Sequence, residues 1–581
     1  MFRKVLIANR GEIAVRIVRT LREMGITSAV AFSDADRDAL FVLEADEAYY
    51  LGPSPASASY LNIQALLEVA AASGSQAIHP GYGFLAENAV FADAARSAGL
   101  AFIGPTSHAL QTMGDKVEAR RAAAALGVPL IPGSSGPVGT LDEARRLAGE
   151  LGFPLAIKAA GGGGGRGIRV VNEVHELAGA LEGARREAQA YFGHPEVYIE
   201  RYIAEPRHVE VQVLGDQHGC LVHLGERDCS VQRRHQKLIE ESPSPAVNRD
   251  LRTRMGEMAL RVAGSVDYSS AGTVEFLLAP DGEFYFLEMN TRIQVEHPVT
   301  EWVTGVDLIQ EMILVAAGEQ MTLTASVDQP YGHAIEVRIN AEDPSNGFRP
   351  TPATISRYRE PGGPGTRVDS GVYNGFTIPG EYDSLMAKLI CWAPDREAAR
   401  RRTLRALHEY VIEGPCSTIP FHESTLQHAN FVSGEISTSF LDQYAPDFER
   451  TSGTSNPQLV EDPSTSRDAP RLFEVEVDRR SYRVRVAEIR TAASQKKQRT
   501  AKRDTAGKTA SQSDLLSPMH GTVIGVKKVK GDAVQAGELI LVIEAMKMEN
   551  DVTAHRSGTL TEVRARVGDT VETDQLLAKI E

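Results

Sequence analysis

Cysteine is scarce in this chain, and what there is has no spacing for metal or disulfide chemistry. Cys220, Cys229, Cys391 and Cys416 are the only four among 581 residues, and no two form a CxxC pair. That argues against a zinc site or a disulfide frame and suits reduced thiols in a cytoplasm. Long apolar runs are missing too. Nowhere do eighteen apolar residues follow one another, and the opening MFRKVLIANRGE has an apolar run of only four residues. Neither secretion nor membrane spanning is expected, and cytoplasmic residence is. Positive charge is in deficit, with 62 Lys and Arg against 77 Asp and Glu and a net charge of -15. This speaks against nucleic acid as a partner while leaving room for a local basic groove that takes anionic phosphates. Two nucleotide signatures are also absent: GxGxxG after the first strand, and a Walker loop ending in GK[ST].

What remains is an ordinary globular composition, 42% apolar and 24% charged, on a chain long enough for three or four domains. Val5 to Ala8 reads as a buried strand, Glu12 to Met24 as an amphipathic helix and Ser28 to Phe32 as a second strand, a βαβ opening on a Rossmann-like layer. Strand and helix patterns continue to about residue 445 without a low-complexity break, so this stretch reads as one multi-domain catalytic unit. Residues 451–470, rich in Ser, Thr, Asp and Pro, and the polar basic tract 490–513 read as linkers. Between them, Leu472 to Val486 alternates apolar and charged residues about Asp478-Arg479-Arg480-Ser481, the pattern of a small hairpin.

The last seventy residues repeat internally. Gly521-Thr522, Val526, Gly531-Asp532, Val534, Leu539 and Ile543-Glu544 recur at a constant offset of about 37 residues as Gly558-Thr559, Val563, Gly568-Asp569, Val571, Leu576 and Ile580-Glu581. Two similar halves of short strands with Gly-Asp turns predict a pseudo-symmetric β-sandwich. At its midpoint stands EAMKMEN, with Lys547 on a hairpin turn between Met546 and Met548. A solvated lysine beside two core methionines is one reading; a lysine displayed for covalent modification is the other, and the surrounding symmetry favours it. Ala545 to Met548 resembles the AMKM motif of the biotinyl domain of biotin-dependent carboxylases. A lipoyl domain is the near relative, but usually lacks methionine on both sides of the lysine.

Farther upstream, GGGGGRG at 161–167 lies between the strand patterns Pro154 to Lys158 and Ile168 to Val171. Glycines let backbone N–H groups approach phosphate oxygens, and Lys158 and Arg166 add positive charge, so a hairpin lid over ATP is expected. GTVEFLL at 272–278 and FYFLEMNTRIQVEHPVTE at 284–301 predict adjacent strands that bring Glu275 and Glu288 together, with Asn290 two residues on. Two carboxylates and an amide oxygen are hard ligands that suit Mg2+ or Mn2+ on nucleotide phosphates. Arg292, Gln294 and Glu296 then alternate on a strand face or extended loop, offering a cation, an amide and a carboxylate to a small oxyanion. With bicarbonate there, Arg292 would hold its charge and Glu296 remove its proton.

IANRGEIAVR, HPGYGFLAEN, the glycine loop, RDCSVQRRHQK and EMNTRIQVEHPVTE together resemble the biotin carboxylase family over nearly all of residues 1–445. The resemblance implies a Rossmann-like N-terminal domain over 1–114, an ATP-grasp domain over 115–331 and an α+β C-terminal subdomain over 332–447. A linker with the small β-hairpin then covers 448–513, and the all-β biotinyl domain, a lipoyl-like flattened barrel or sandwich, 514–581. It also implies roles. Lys116, Lys158, Gly163, Gly164, Gly165, Glu200, Ile203, His208, Gln232 and His235 would contact ATP. Lys237, Arg292, Gln294 and Val295 would hold bicarbonate, Glu296 would act as base, Arg338 would stabilise the biotin enolate, and metal would fall to Glu275, Glu288 and Asn290. Lys547 would carry biotin, attached by a biotin protein ligase. Three places depart from the family's commoner pattern: Arg201 stands where lysine is frequent, Ile168 where methionine is, and Pro415 to Thr418 where a threonine-asparagine pair is usual. None of these removes a charged catalytic group.

The implied reaction is attack of bicarbonate on ATP to give carboxyphosphate and ADP, then carboxylation of biotin. With no carboxyltransferase domain in the chain, the acceptor, an acetyl-, propionyl- or related acyl-CoA, is expected on a separate β subunit within a hetero-oligomer. Residues 490–513 as flexible coil would give a reach of roughly 25 to 30 Å. The biotin-bearing part of a two-subunit pyruvate carboxylase and an inactive carrier or docking protein are the competing readings. Retention of Lys237, Glu275, Glu288, Arg292, Glu296 and Arg338 opposes the second.

Overall fold

The computed structural model describes residues 1–134, 136–159, 168–192, 195–234, 236–444, 471–477, 480–486, 513–517, 521–545, 548–571 and 575–581. Gly163, Gly164, Gly165, His235, Lys547 and both linker stretches lie outside the described residues.

The N-terminal layer is a five-stranded sheet in the order Glu47–Gly52, Thr27–Ser33, Lys4–Ile7, Ala77–His79, Ala101–Phe102, and its strand pairs are parallel. The strand Lys4–Ile7 is central and covered on both faces, which is why its sequence is a continuous apolar run rather than an alternating one. The helix Gly11–Glu23 follows and buries Ile13, Val15, Ile17, Val18 and Leu21. The βαβ opening read from sequence is thus present, with boundaries shifted by one residue.

The sheet that positions the site has eight strands. In spatial order they are Phe284–Asn290, Ser270–Leu278, Arg207–Gly215, Leu221–Arg233, Gln236–Ser242, His333–Asn340, Leu385–Ala393 and Thr366–Ser370. Every pairing in it is antiparallel, and the sheet runs without a break across residue 331. The helix His297–Thr304 packs on the strands His333–Asn340 and Leu221–Arg233. A separate three-stranded sheet pairs Leu155–Ala159 with both Ile168–Val171 and Val197–Arg201. The first two of these flank the glycine loop, with Lys158 opposite Ile168 in register. Farther on, Arg471–Val477 and Arg480–Val486 form an antiparallel hairpin whose last pair is Val477 with Arg480.

The C-terminal domain repeats in structure as it does in sequence. Gly521–Val526, Ala533–Val534 and Leu539–Ala545 correspond to Gly558–Val563, Thr570–Val571 and Leu576–Ile580. The two halves exchange their short strands: Ala533–Val534 pairs with Gly558–Val563, and Thr570–Val571 with Gly521–Val526. Two four-stranded sheets result, packed over Val523, Ile540, Ile543, Leu560, Leu577 and Ile580. The strands Leu539–Ala545 and Met548–Thr553 pair up to Ala545 opposite Met548, which leaves positions 546 and 547 between them.

The crossing that locks the halves depends on two equivalent glycines. A Cβ on Gly521 would lie 2.4 Å from the Glu544 carbonyl oxygen, and one on Gly558 would lie 2.4 Å from that of Glu581. Gly521→Ala should therefore destabilise the carrier domain by about 1 to 3 kcal/mol, because backbone rather than a side chain must move. Gly525→Ala, whose nearest contacts are at 3.9 Å, should be close to neutral. Calorimetry on the full chain reads both.

Candidate active site

The register of four antiparallel strands builds one row across the sheet. Glu288 lies opposite Glu275, Glu275 opposite Glu210, and Glu210 opposite Arg227. Three carboxylates side by side repel one another and lose water on burial, so the row holds only with cations interleaved. Arg227, with 0% side-chain exposure, donates five hydrogen bonds: to Glu210 at 2.5 Å, Gln212 at 2.7 Å, Thr300 and Gln294 at 2.9 Å, and Thr273 at 3.0 Å. Lys237, on the next strand, sends its ammonium to Glu210 at 2.5 Å, Glu296 at 2.7 Å and Glu275 at 2.9 Å. Burial works against the charged lysine, but Glu210, Glu275 and Glu296 outweigh it and hold its pKa well above the ordinary value.

Glu296 caps the helix His297–Thr304 and is clamped on both oxygens. Lys237 holds Oε1, and the Arg338 guanidinium donates to Oε2 at 2.9 Å. Burial alone would raise this carboxyl; Lys237, Arg338 and Arg227 reverse that and keep it below the usual carboxylate range. Arg338 is itself shared, with Nε donating to Glu240 at 2.6 Å. Burial pushes Glu240 up to about 7 against the pull of Arg338. Its cross-strand neighbour Glu336 is raised by burial as well.

The segment Thr291 to Glu296 is a loop running into the helix, so its side chains diverge more than a strand face would give. Arg292 donates to Glu87 at 3.0 Å and to the side-chain carbonyl oxygen of Asn290 at 3.1 Å. Gln294 donates to Glu275 at 2.8 Å, as does Asn290. The Val295 carbonyl accepts from Lys388 at 2.9 Å. His208 reaches Glu275 at 2.9 Å, so it abuts the carboxylate row. Lys116 pairs with Glu288 at 3.2 Å. Lys158 and Glu200 form a second centre, 2.6 Å apart, with Arg120 at 3.1 Å from the same carboxylate. Ile203 packs beside it with Ile131 and Tyr285, and Gln232 is buried opposite Lys237.

For a divalent cation the donor set fits. Glu275 and Glu288 face each other on adjacent strands with Asn290 two residues along, all oxygen ligands of the kind Mg2+ or Mn2+ takes. His208, Glu210 and Glu275 also bring ligand atoms within 4.8 Å of one another, but the Lys237 ammonium already bonds two of the three and fills the position an ion would take.

Reading the sequence missed Arg227, Glu210, Glu240 and Glu87. Glu210 had a signal, because His208, Glu210 and Gln212 alternate with valines along one strand. Arg227 opens the motif RDCSVQRRHQK but had no signal in periodicity: the strand is irregular between His223 and Glu226, which shifts the alternation before Arg227 is reached. Removing the Arg227 guanidinium leaves Glu210 buried with one cation fewer. Arg227→Met should therefore cost about 3 to 5 kcal/mol in urea unfolding, and a change below about 1 kcal/mol would contradict this account of the row.

Residues 1–110 match the biotin carboxylase N-terminal domain, 115–324 the carbamoyl-phosphate synthase L chain ATP-binding domain, 336–443 the biotin carboxylase C-terminal domain, and 513–580 the biotin-requiring enzyme domain. The chain is 43% identical to the biotin-dependent acyl-coenzyme A carboxylase alpha3 subunit of Mycobacterium leprae, over 99% of this chain and 98% of that one. It is 52% identical to the biotin carboxylase of a Nostoc species, over 76% of this chain and 99% of that one. A pyruvate carboxylase subunit of Methanothermobacter thermautotrophicus is also 52% identical, over 76% and 90%. Among solved structures, the biotin carboxylase domain of Hydrogenobacter thermophilus 2-oxoglutarate carboxylase, in complex with MgADP, ADP and bicarbonate, superposes with a TM-score of 0.71 at 45% identity. That match covers 77% of this chain and 99% of that one. No helix among the described residues is long and apolar enough to cross a membrane. A buried cation-carboxylate row on an ATP-grasp sheet, joined in one polypeptide to a symmetric biotin-requiring domain, places this chain in the biotin carboxylase family.

Proposed function

We propose that this chain uses ATP and bicarbonate to carboxylate a biotin carried on its own Lys547, as the alpha subunit of an acyl-CoA carboxylase. The observation that carries the reading is the double clamp of Lys237 and Arg338 on Glu296, beside the facing pair Glu275 and Glu288. Bicarbonate entering between Lys237, Arg292, Gln294 and the Val295 backbone competes for the donors that hold Glu296. As those donors turn to the anion, Glu296 rises from its depressed value and accepts the bicarbonate proton. The freed oxygen attacks the γ-phosphorus of ATP, the bond to the β-γ bridging oxygen breaks, and carboxyphosphate and ADP form.

Lys116, Lys158, Glu200, Ile203, His208, Gln232, His235 and the backbone of Gly163 to Gly165 hold the nucleotide. A divalent cation at Glu275, Glu288 and Asn290 supplies neutralisation of the transferring phosphoryl charge. Carboxyphosphate then breaks into CO2 and phosphate, the phosphate takes the proton from biotin N1, and N1 bonds to CO2; Arg338, already poised between Glu296 and Glu240, would face the negative charge that develops on the ureido oxygen.

Likeness to an acyl-CoA carboxylase alpha3 subunit over 99% of this chain supports that assignment, since it includes the carrier domain. A pyruvate carboxylase role rests on a match that covers 76% of this chain. The two differ in the carboxyltransferase partner. The hairpin Arg471–Val486 is the proposed dock for that partner: a strand-forming island between two linkers.

Three experiments test these readings. The purified full chain should release ADP only when bicarbonate and free biotin are both supplied, and Glu296→Gln should slow this by at least about a hundredfold. Co-expression with a biotin ligase should raise the intact mass by one biotin, an increase lost in Lys547→Ala. No bicarbonate-dependent ADP release from the unaltered chain would refute the catalytic reading. Deleting residues 472–486 should abolish co-purification with an acyl-CoA carboxyltransferase while leaving ADP release intact; unchanged co-purification would refute the docking role.

A further inference from the structure

Two motifs of the N-terminal layer, IANRGEIAVR at 7–16 and HPGYGFLAEN at 79–88, supply no group to the chemistry above. They grip each other: Asn9 donates to the carbonyls of Pro80 at 2.6 Å and Tyr82 at 2.7 Å. The Tyr82 hydroxyl donates to Glu12 Oε1, and Glu12 Oε2 lies 3.2 Å from the ammonium of Lys388. Lys388 then donates to the Val295 carbonyl at 2.9 Å. At the other end of the same loop, Glu87 accepts from the Thr291 N–H at 3.1 Å and from Arg292 Nε at 3.0 Å.

One end of the loop is therefore tied directly to the second motif, across more than two hundred residues of sequence, and the other end reaches both motifs through Lys388. This matters because residues 291–296 belong to no strand, so the half-buried turn at Val295 is placed by the bond its carbonyl accepts from Lys388. Lys388 is fully buried, with Asp369 at 3.8 Å and Glu336 also facing it. A buried ion pair of this kind adds little to net stability. The one hydrogen bond Lys388 donates, to the Val295 carbonyl, does fix where a backbone turn sits, with Glu12 and Asp369 holding the ammonium as ion-pair partners.

We propose that Lys388 is a positioning residue for the bicarbonate site, held by the relay from Tyr82 through Glu12 and setting the Gln294-Val295-Glu296 turn through the Val295 carbonyl. The assignment rests on the function proposed above, because that turn is where bicarbonate would bind. A misplacement of the turn changes how well bicarbonate is held while leaving the nucleotide centre at Lys158 and Glu200 in place.

Steady-state ADP release by the full chain tests it. Lys388→Met should raise the KM for bicarbonate about tenfold or more, the loss expected for one charge-assisted hydrogen bond, with the KM for ATP unchanged. Unchanged bicarbonate KM, or an equal rise in both KM values, overturns the proposal. Should Lys388→Met fail to fold, Tyr82→Phe and Glu12→Gln carry the test. Each should raise the bicarbonate KM, and the double variant should do no worse than the larger single effect, since both act through one relay. Additive effects, or none, overturn it. An unaltered chain with no bicarbonate dependence would bring down the function itself and this role with it, whereas a bicarbonate-dependent chain indifferent to these variants rejects the positioning role alone.

Discussion

One ammonium holds the site together. Lys237 sits among Glu210, Glu275 and Glu296, and each of those carboxylates has a second basic partner behind it: Arg227 on Glu210, His208 on Glu275, Arg338 on Glu296. Each of these buried carboxylates is thus shared between two basic groups, which is the condition for burying so many charges at all. The remaining features follow from it. The eight-stranded sheet has to be wide enough to hold the row from Glu288 to Arg227 on four strands, and the strand after it has to deliver Lys237. The helix His297–Thr304 has to start where Glu296 can reach both Lys237 and Arg338.

The same arrangement explains how a carboxylate can be both ion-paired and a base. With Lys237 and Arg338 on its two oxygens, Glu296 is a poor proton acceptor. In the proposed reaction an arriving bicarbonate would draw on the donors that quench it, so basicity would be tied to the presence of substrate and wasteful activation of water disfavoured by the same contacts.

How much of this could be read from sequence depended on the distance over which each contact acts. Glu275 and Glu288 sit on neighbouring strands joined by a tight turn, so spacing alone brings them close, and a one-residue irregularity after Glu275 sets them directly opposite each other. The carrier domain was legible for a related reason: its two halves obey one pattern, and even the exchanged short strands fall at equivalent positions. Glu240 and Glu336 gave no signal, since each looks like an ordinary polar residue on a strand until the pairing of Gln236–Ser242 with His333–Asn340 sets them face to face. Glu87 on Arg292 and Lys388 on Val295 join residues 205 and 93 positions apart, and no local period encodes that. The reading of residues 292–296 as a face fell short because a helix begins directly after the last of them, turning the chain before a second strand-like step is completed.

The comparisons add an argument about where selectivity lies. Residues in the first three quarters of the chain are about equally similar to relatives named for pyruvate and to biotin carboxylases that name no acceptor, at 52% identity in both cases. A domain from a 2-oxoglutarate carboxylase has the same fold at 45% identity. Biotin carboxylation uses the same ATP, the same bicarbonate and the same ring whatever the final acceptor is, so the row around Lys237 has no physical means of sensing it. Under the proposed function, selection among acceptors would belong to the partner that receives the carboxyl group, with the hairpin Arg471–Val486 as the proposed dock, and the full-length likeness to an acyl-CoA carboxylase alpha3 chain carries more weight on this point than the higher identities confined to the catalytic part.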